Sequence, residues 1–220
     1  MKRLRVERVA SKVPADLPPR YNIAPGSQVL AALDVRSEGQ LRRSLAMLQW
    51  GLVPHWAKDI TIGNRLANAR SETLATKPAF RAAWERGQRC AIIADVFFEW
   101  QAATPRKQPW AIRLAGGAPF ALAGLWERWR DPAHPDAPTV ASCTVITTAP
   151  NALIAPLHDR MPVMLTGDAL ERWIDRDVPP PEAAALMTAF DASSMEAWMV
   201  SHAINAPGGD GPEVLRALSP

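Results

Sequence analysis

Four polar islands interrupt an otherwise apolar chain, and their residue types are those of acid–base and phosphate chemistry. The segment ALIAPLHDRMPVML, 152–165, sets His158, Asp159 and Arg160 between two apolar runs. A histidine exchanges protons near neutral pH. An arginine offers a planar fork that fits a phosphate. The segment DVFFEW, 95–100, holds Glu99 between Phe98 and Trp100. Strand alternation places Glu99 on the same face as Phe97. A carboxyl in that company is expected to lose water, rise in pKa and suit proton transfer. LANARSET, 66–73, carries Asn68 and Arg70, and PPRYNIAPGSQ, 18–28, carries Arg20, Tyr21 and Asn22 ahead of a Pro-Gly turn. Each island also has a plainer role. Glu99 can face solvent, His158 can be structural, Asn68 can belong to a helix cap, and Arg20–Asn22 can be a turn.

The elements that must position these groups are mostly strands. QVLAALDV, LAMLQWG, CAIIADVFFEW, PWAIRLA, FALAGLWERW, CTVITTA, MPVML and AWMVS read as strands bounded by turn residues. PAFRAAWERG, APNALIAPL, TGDALERWIDR and PPEAAALMTAF read as helices, with Pro78 opening the first, Gly87 closing it, and Pro156 closing the second. Strands outnumber helices and do not alternate with them. The expected fold class is therefore α+β, with a curved, mostly antiparallel sheet and peripheral helices in a single domain over 1–220. WRDPAHPDAPT reads as a loop, and 206–220 as an irregular tail.

Composition narrows the function classes. The 220 residues are 48% hydrophobic and 21% charged, as in an ordinary globular chain, with a net charge of +3 that permits an anionic partner without demanding one. No apolar stretch reaches the roughly 18–20 residues that span a bilayer. The basic start, MKRLRVERVA, lacks a secretory core. The expected location is cytoplasmic, with no membrane partner. Cys90 and Cys143 sit in strand-like runs and are expected to be buried, reduced thiols. His55, His134, His158 and His202 show no zinc-site spacing, and no glycine loop suggests nucleotide binding, so neither a metal nor a cofactor is expected. Nine tryptophans stand against one tyrosine. An exposed Trp beside basic residues is what a single-strand nucleic-acid groove uses for stacking, and Trp56 in VPHWAKD is the best placed.

Taken in order, RYNIAPG, WGLVPHWAKD, NARSET, RCAIIADVFFEW, KQPWAI, ITTAPN and LHDRMPVML resemble the SRAP family (SOS response-associated peptidase, or abasic-site processing proteins). The similarity runs from about Arg20 to about Asn205, leaving 1–19 as a divergent, shortened arm. The resemblance implies a barrel-like sheet with a positively charged groove that takes abasic sites in single-stranded DNA, bringing the protein to the nucleoid during the DNA damage response. It implies a Cys after the initiator Met as nucleophile, whose thiol and α-amine capture the opened sugar aldehyde as a thiazolidine, and a self-processing peptidase activity. Carried over by motif, Asn68, Glu99 and His158 would assist the chemistry, and Arg70 and Arg160 would hold phosphates. Arg20 and Trp56 would add DNA contacts.

One departure matters most. Lys2 stands where the family has its Cys. Smaller ones are Val96 and Phe98, where the family often has Gly and Tyr. Three readings stay open: a native start further upstream, a Cys-less module that binds abasic DNA without a stable cross-link, or an amine lyase. In the last, the Met1 α-amine, with an ordinary pKa of about 7.7–8.0, would form a Schiff base and promote strand cleavage.

Overall fold

Apolar residues on both faces of the long strands explain the architecture. In the computed structural model, which describes residues 6–10, 13–37, 39–206 and 208–218, these strands close on themselves. In chain order the elements are β1 (Arg8–Val9), β2 (Gln28–Ser37), β3 (Gln40–Trp50), β4 (Asn68–Arg70), α1 (Pro78–Glu85), β5 (Arg89–Ala94), β6 (Phe97–Gln101), β7 (Gln108–Leu114), β8 (Phe120–Trp129), β9 (Val140–Thr148), β10 (Met161–Pro162), β11 (Met164–Leu165), α2 (Gly167–Ile174), α3 (Pro180–Ala184) and β12 (Met195–Met199). Antiparallel pairings run β3–β2–β5–β8–β9, and a short parallel pairing of Gln49–Trp50 with Ser142–Cys143 joins β3 back to β9. The sheet is therefore ring-like, mixed and mostly antiparallel, as the α+β expectation requires. A second sheet, β12–β7–β6, lies beside it.

One face of the ring carries Val29, Leu33, Leu48, Ile92, Leu122 and Trp126, packed with Ile112 and Met195 of the second sheet. The other face carries small residues, Ala32, Ala91, Ala121 and Ala123, on which Trp84 of α1 and Trp173 of α2 close. Small side chains let the helices approach the sheet, and the two indole rings meet at 6.2 Å. Burial on both faces is why β5 and β8 read as continuous apolar runs. Pro78 opens α1 at its first position and Gly87, at φ 61°, follows its end.

Gly124 sits where the packing is closest. A Cβ there would lie 2.7 Å from the Thr144 carbonyl oxygen and 2.9 Å from Cys90 Sγ. Backbone in a sheet cannot yield that space. Gly124→Ala is expected to lose about 2–3 kcal/mol in urea unfolding monitored by tryptophan fluorescence; an unchanged midpoint would show that the ring can expand at this position.

Three expectations are corrected. RCAIIADVFFEW is not one strand: it breaks at Asp95–Val96 into β5 and β6, which enter different sheets. Aspartate is poorly suited to a ladder, and Asp95 is exposed at the bend. APNALIAPL forms consecutive turns rather than a helix. Asn151 Oδ1 accepts the Leu153 and Ile154 amides, and Pro156 has no amide with which to extend the run. Ser71–Thr76 forms turns, so Asn68 and its neighbours do not cap α1. The tail is irregular but docked. Val214 is buried, and Trp198 Nε1 donates to the Leu215 carbonyl at 2.8 Å. Among the described residues no helix is long and apolar enough to cross a membrane.

Candidate active site

β6 delivers Glu99 to the edge of the apolar core. Phe97, on the same face, packs edge-on to Phe120 with ring centroids 6.3 Å apart. The Glu99 side chain is left 18% exposed. Burial raises its pKa from 4.5 to about 7, with His158 and the Trp100 amide opposing and Asp159 assisting. At neutral pH the carboxyl is thus poised between donating and accepting a proton.

His158 reaches Glu99 from the turns that follow β9. Its Nδ1 lies 4.0 Å from Glu99 Oε2 and 3.2 Å from Asp159 Oδ1. The Arg160 amide donates to Nδ1 at 3.0 Å. The Arg160 carbonyl, at 3.2 Å, and the Asp159 carboxylate face the same Nδ1, so this nitrogen has a donor and two acceptors within reach and is served in either tautomer. Gln101 fixes the spacing of the two segments: its Nε2 donates to the Pro156 carbonyl at 3.2 Å, and its Oε1 accepts from Trp110 Nε1 at 3.1 Å. Gln101 lies two residues past Glu99 and on its face. That spacing was the one available signal for it, and sequence reasoning missed it.

β4 brings the second half. Asn68, Ala69 and Arg70 run parallel to Val145–Thr147 of β9. Ala69 is buried, so alternation leaves Asn68 and Arg70 exposed together. The side chains of both make no hydrogen bond or ion pair within the described residues. Thr147 ties this strand to the histidine segment. Its carbonyl accepts from the Ser71 amide at 2.9 Å and from Arg160 Nη2 at 2.6 Å. Arg160 is not free. Glu72 takes both ends of its fork, at 2.7 and 2.8 Å, and those hydrogen bonds hold the Glu72 carboxyl down at about 2. Glu72 was read only as part of NARSET, because its partner lies 88 residues away.

The structure thus joins Glu99 and His158 directly, and joins Asn68 and Arg70 to Arg160 through Thr147. Trp56 and Arg20 are elsewhere. Trp56, 50% exposed, forms the wall of a cavity of about 620 Å³ with Lys58, Asp59, Ile62, Asn64 and Arg65. Its loop is well fastened. Trp129 Nε1 donates to the Ala57 carbonyl at 2.7 Å, the Val53 amide donates to Ser142 Oγ at 2.8 Å, and His55 lies 3.2 Å from the buried Glu127 carboxylate. Arg20 donates to the Gln28 carbonyl at 2.7 Å and faces Asp210 at 3.9 Å. Asp210 also accepts the Tyr21 and Asn22 amides, so the tail closes over this turn. Met1 and Lys2 lie outside the described residues. Cys90 and Cys143 are free and buried, and burial, with the Cys143 thiol beside it, pushes the Cys90 thiol up. Among the described residues no cluster of three or more His, Cys, Asp or Glu could hold a metal ion.

Comparison with known proteins shows the family and the fold. The family model described as SOS response associated peptidase (SRAP) matches residues 2–207. The abasic site processing protein YoqW of Bacillus subtilis is 40% identical over 201 residues, covering 90% of this chain and 86% of YoqW. The abasic site processing protein YedK of Escherichia coli is 29% identical, covering 98% and 93%. A crystal structure of a protein from Bacteroides thetaiotaomicron shares the fold with a TM-score of 0.78 at 24% identity, covering 88% of this chain and 82% of that one. A family match across nearly the whole length, with close relatives of similar size, places this chain in the SOS response associated peptidase family.

Proposed function

We propose that this chain binds abasic sites in single-stranded DNA and presents the opened sugar to the Glu99–His158 pair. The observation that carries the reading is that pair: a partly buried carboxyl poised near pH 7 with a histidine ring nitrogen 4.0 Å away. An aldehyde captured by an amine must lose its oxygen as water. That step needs a proton delivered to the departing hydroxyl, and Glu99 or His158 supplies it. Asn68 and Arg70 line the adjoining exposed strand, where a free guanidinium suits a phosphate flanking the lesion. Trp56 offers an indole face for a neighbouring base. The names of the bacterial relatives support the same substrate.

A second reading, binding without a stable cross-link, is favoured by the thiols. Both cysteines are fully buried and neither can meet an aldehyde. One experiment tests the function and sorts the chemistry. The protein is incubated with a single strand carrying one abasic site and with the intact strand, then run on native and denaturing gels with and without borohydride. Preferential retention of the abasic strand on the native gel is expected, and equal retention overturns the proposal. On the denaturing gel, a heat-stable band without borohydride means a cross-link to this chain. A band only with borohydride means a Schiff base to an amine such as that of Met1. No band in either lane means noncovalent binding.

A further inference from the structure

Arg160 and Glu72 form an asymmetric pair. The guanidinium is anchored: its side chain is 18% exposed, Nη2 also donates to the Thr147 carbonyl, and Nε is buried without a partner. The carboxylate is held more loosely. Its side chain is 52% exposed, Arg160 provides its only ion pair among the described residues, and its other hydrogen bonds are local, from its own amide and the neighbouring Ser71. Glu72 therefore can leave while Arg160 stays. A carboxylate and a phosphate fit the same two-pronged fork. Arg70, two residues before Glu72, is exposed at the end of β4. While the pair is closed, the Arg160 fork is occupied by an exposed acid, and Arg70 has no ion pair within the described residues.

We propose that Glu72 is a built-in substitute for a DNA phosphate on Arg160. It holds the guanidinium in its gripping geometry in the free protein and swings out when a phosphate takes the fork. The exchange has two consequences. The arginine is already ordered, so binding loses less side-chain entropy. A phosphate must also displace an acid, so a strand held by this contact alone binds weakly. Additional contacts at the lesion are then needed for tight binding, which makes Glu72 a positioning and specificity residue. The inference rests on the single-strand reading above.

The test is anisotropy of a labelled single strand with one abasic site, titrated from about 50 to about 200 mM salt. It compares the wild-type chain with Glu72→Gln, Arg160→Met, the double variant and Arg70→Ala. Thermal unfolding checks that each is folded. Glu72→Gln is expected to bind about three- to tenfold more tightly, with a log–log salt slope steeper by about 0.7. In the Arg160→Met background the same change is expected to add nothing. A purely structural role for Glu72 would move neither slope nor coupling. If Glu72→Gln keeps the wild-type affinity and slope, or tightens binding equally without Arg160, the proposal is wrong and the DNA reading survives. If no variant binds and Arg70→Ala changes nothing, the DNA reading fails and takes this proposal with it.

Discussion

Glu99→Gln is expected to be more stable than the wild-type chain at about pH 8, by roughly 2–3 kcal/mol, and no more stable at about pH 4. Burial lifts the folded-state pKa of this carboxyl from 4.5 to about 7. Below the unfolded value both states hold the proton and the group costs nothing. As pH rises between the two values, the unfolded chain releases its proton while the folded chain keeps it, so stability falls. Above the folded value the full cost is present, at most about 3 kcal/mol at 1.36 kcal/mol per pH unit. The neutral amide of Gln escapes it. Urea unfolding of both chains across this range checks the sign as well as the size. A wild-type curve parallel to that of Gln would mean that His158 fully compensates the charge. The expected result also bears on function. A site where an amide would be more stable than the acid is one where the acid is held for its proton, as in the trade-off between stability and activity.

How much of this site was legible depended on distance along the chain. The face of Glu99 follows from period-two alternation within DVFFEW, and its desolvation follows from Phe97 on that face. The exposed pair Asn68 and Arg70 is local for the same reason. The relations that make a site were not local. Glu99 on β6 meets His158 from the turns after β9, and Glu72 meets Arg160 directly across 88 residues of chain. No periodicity encodes such contacts. The order of seven motifs did more than any one of them, because motif order carries the fold that brings distant residues together. The misread elements fail for identifiable reasons. APNALIAPL has helix-like spacing, but Asn151 spends its side chain on a turn and Pro156 removes the next donor. RCAIIADVFFEW is apolar on both sides of Asp95, so its periodicity does not change where it changes sheets, and Asp95 alone marks the point. The pairing that closes the ring, Gln49–Trp50 with Ser142–Cys143, is two residues long and leaves no pattern at all.

Arg89 is the strongest case of a residue whose role only the fold reveals, and Arg89→Met is expected to lose about 3–5 kcal/mol. In sequence it is one more basic residue ahead of a strand. In the structure it is fully buried. Its Nε donates to the Trp173 carbonyl at 2.7 Å, and Nη2 donates to the Asp175 and Val178 carbonyls at 2.5 and 2.8 Å. These groups belong to the end of α2 and the chain just beyond it, where helix carbonyls lack internal partners and carry partial negative charge. The guanidinium also lies 5.9 Å from the Trp173 ring. Burial lowers its pKa, opposed by Asp175, yet the carbonyls and the ring keep a cation there tolerable. A buried ion pair can often be exchanged for apolar residues with little loss. Here the partners are backbone carbonyls, which cannot be mutated away, so Met fills the volume and strands the Trp173 and Val178 carbonyls, while that of Asp175 keeps the Val178 amide at 3.3 Å. Trp173 Nε1 still donates to the Cys90 carbonyl at 2.9 Å, so α2 keeps one tie to the ring while losing the other. The expected signature is a lower urea midpoint with an unchanged slope, together with a shift in tryptophan emission, and a partial return with Arg89→Lys, which restores charge but not the fork. A loss below about 1 kcal/mol would mean that water reaches those carbonyls and that α2 is held by its indole packing instead.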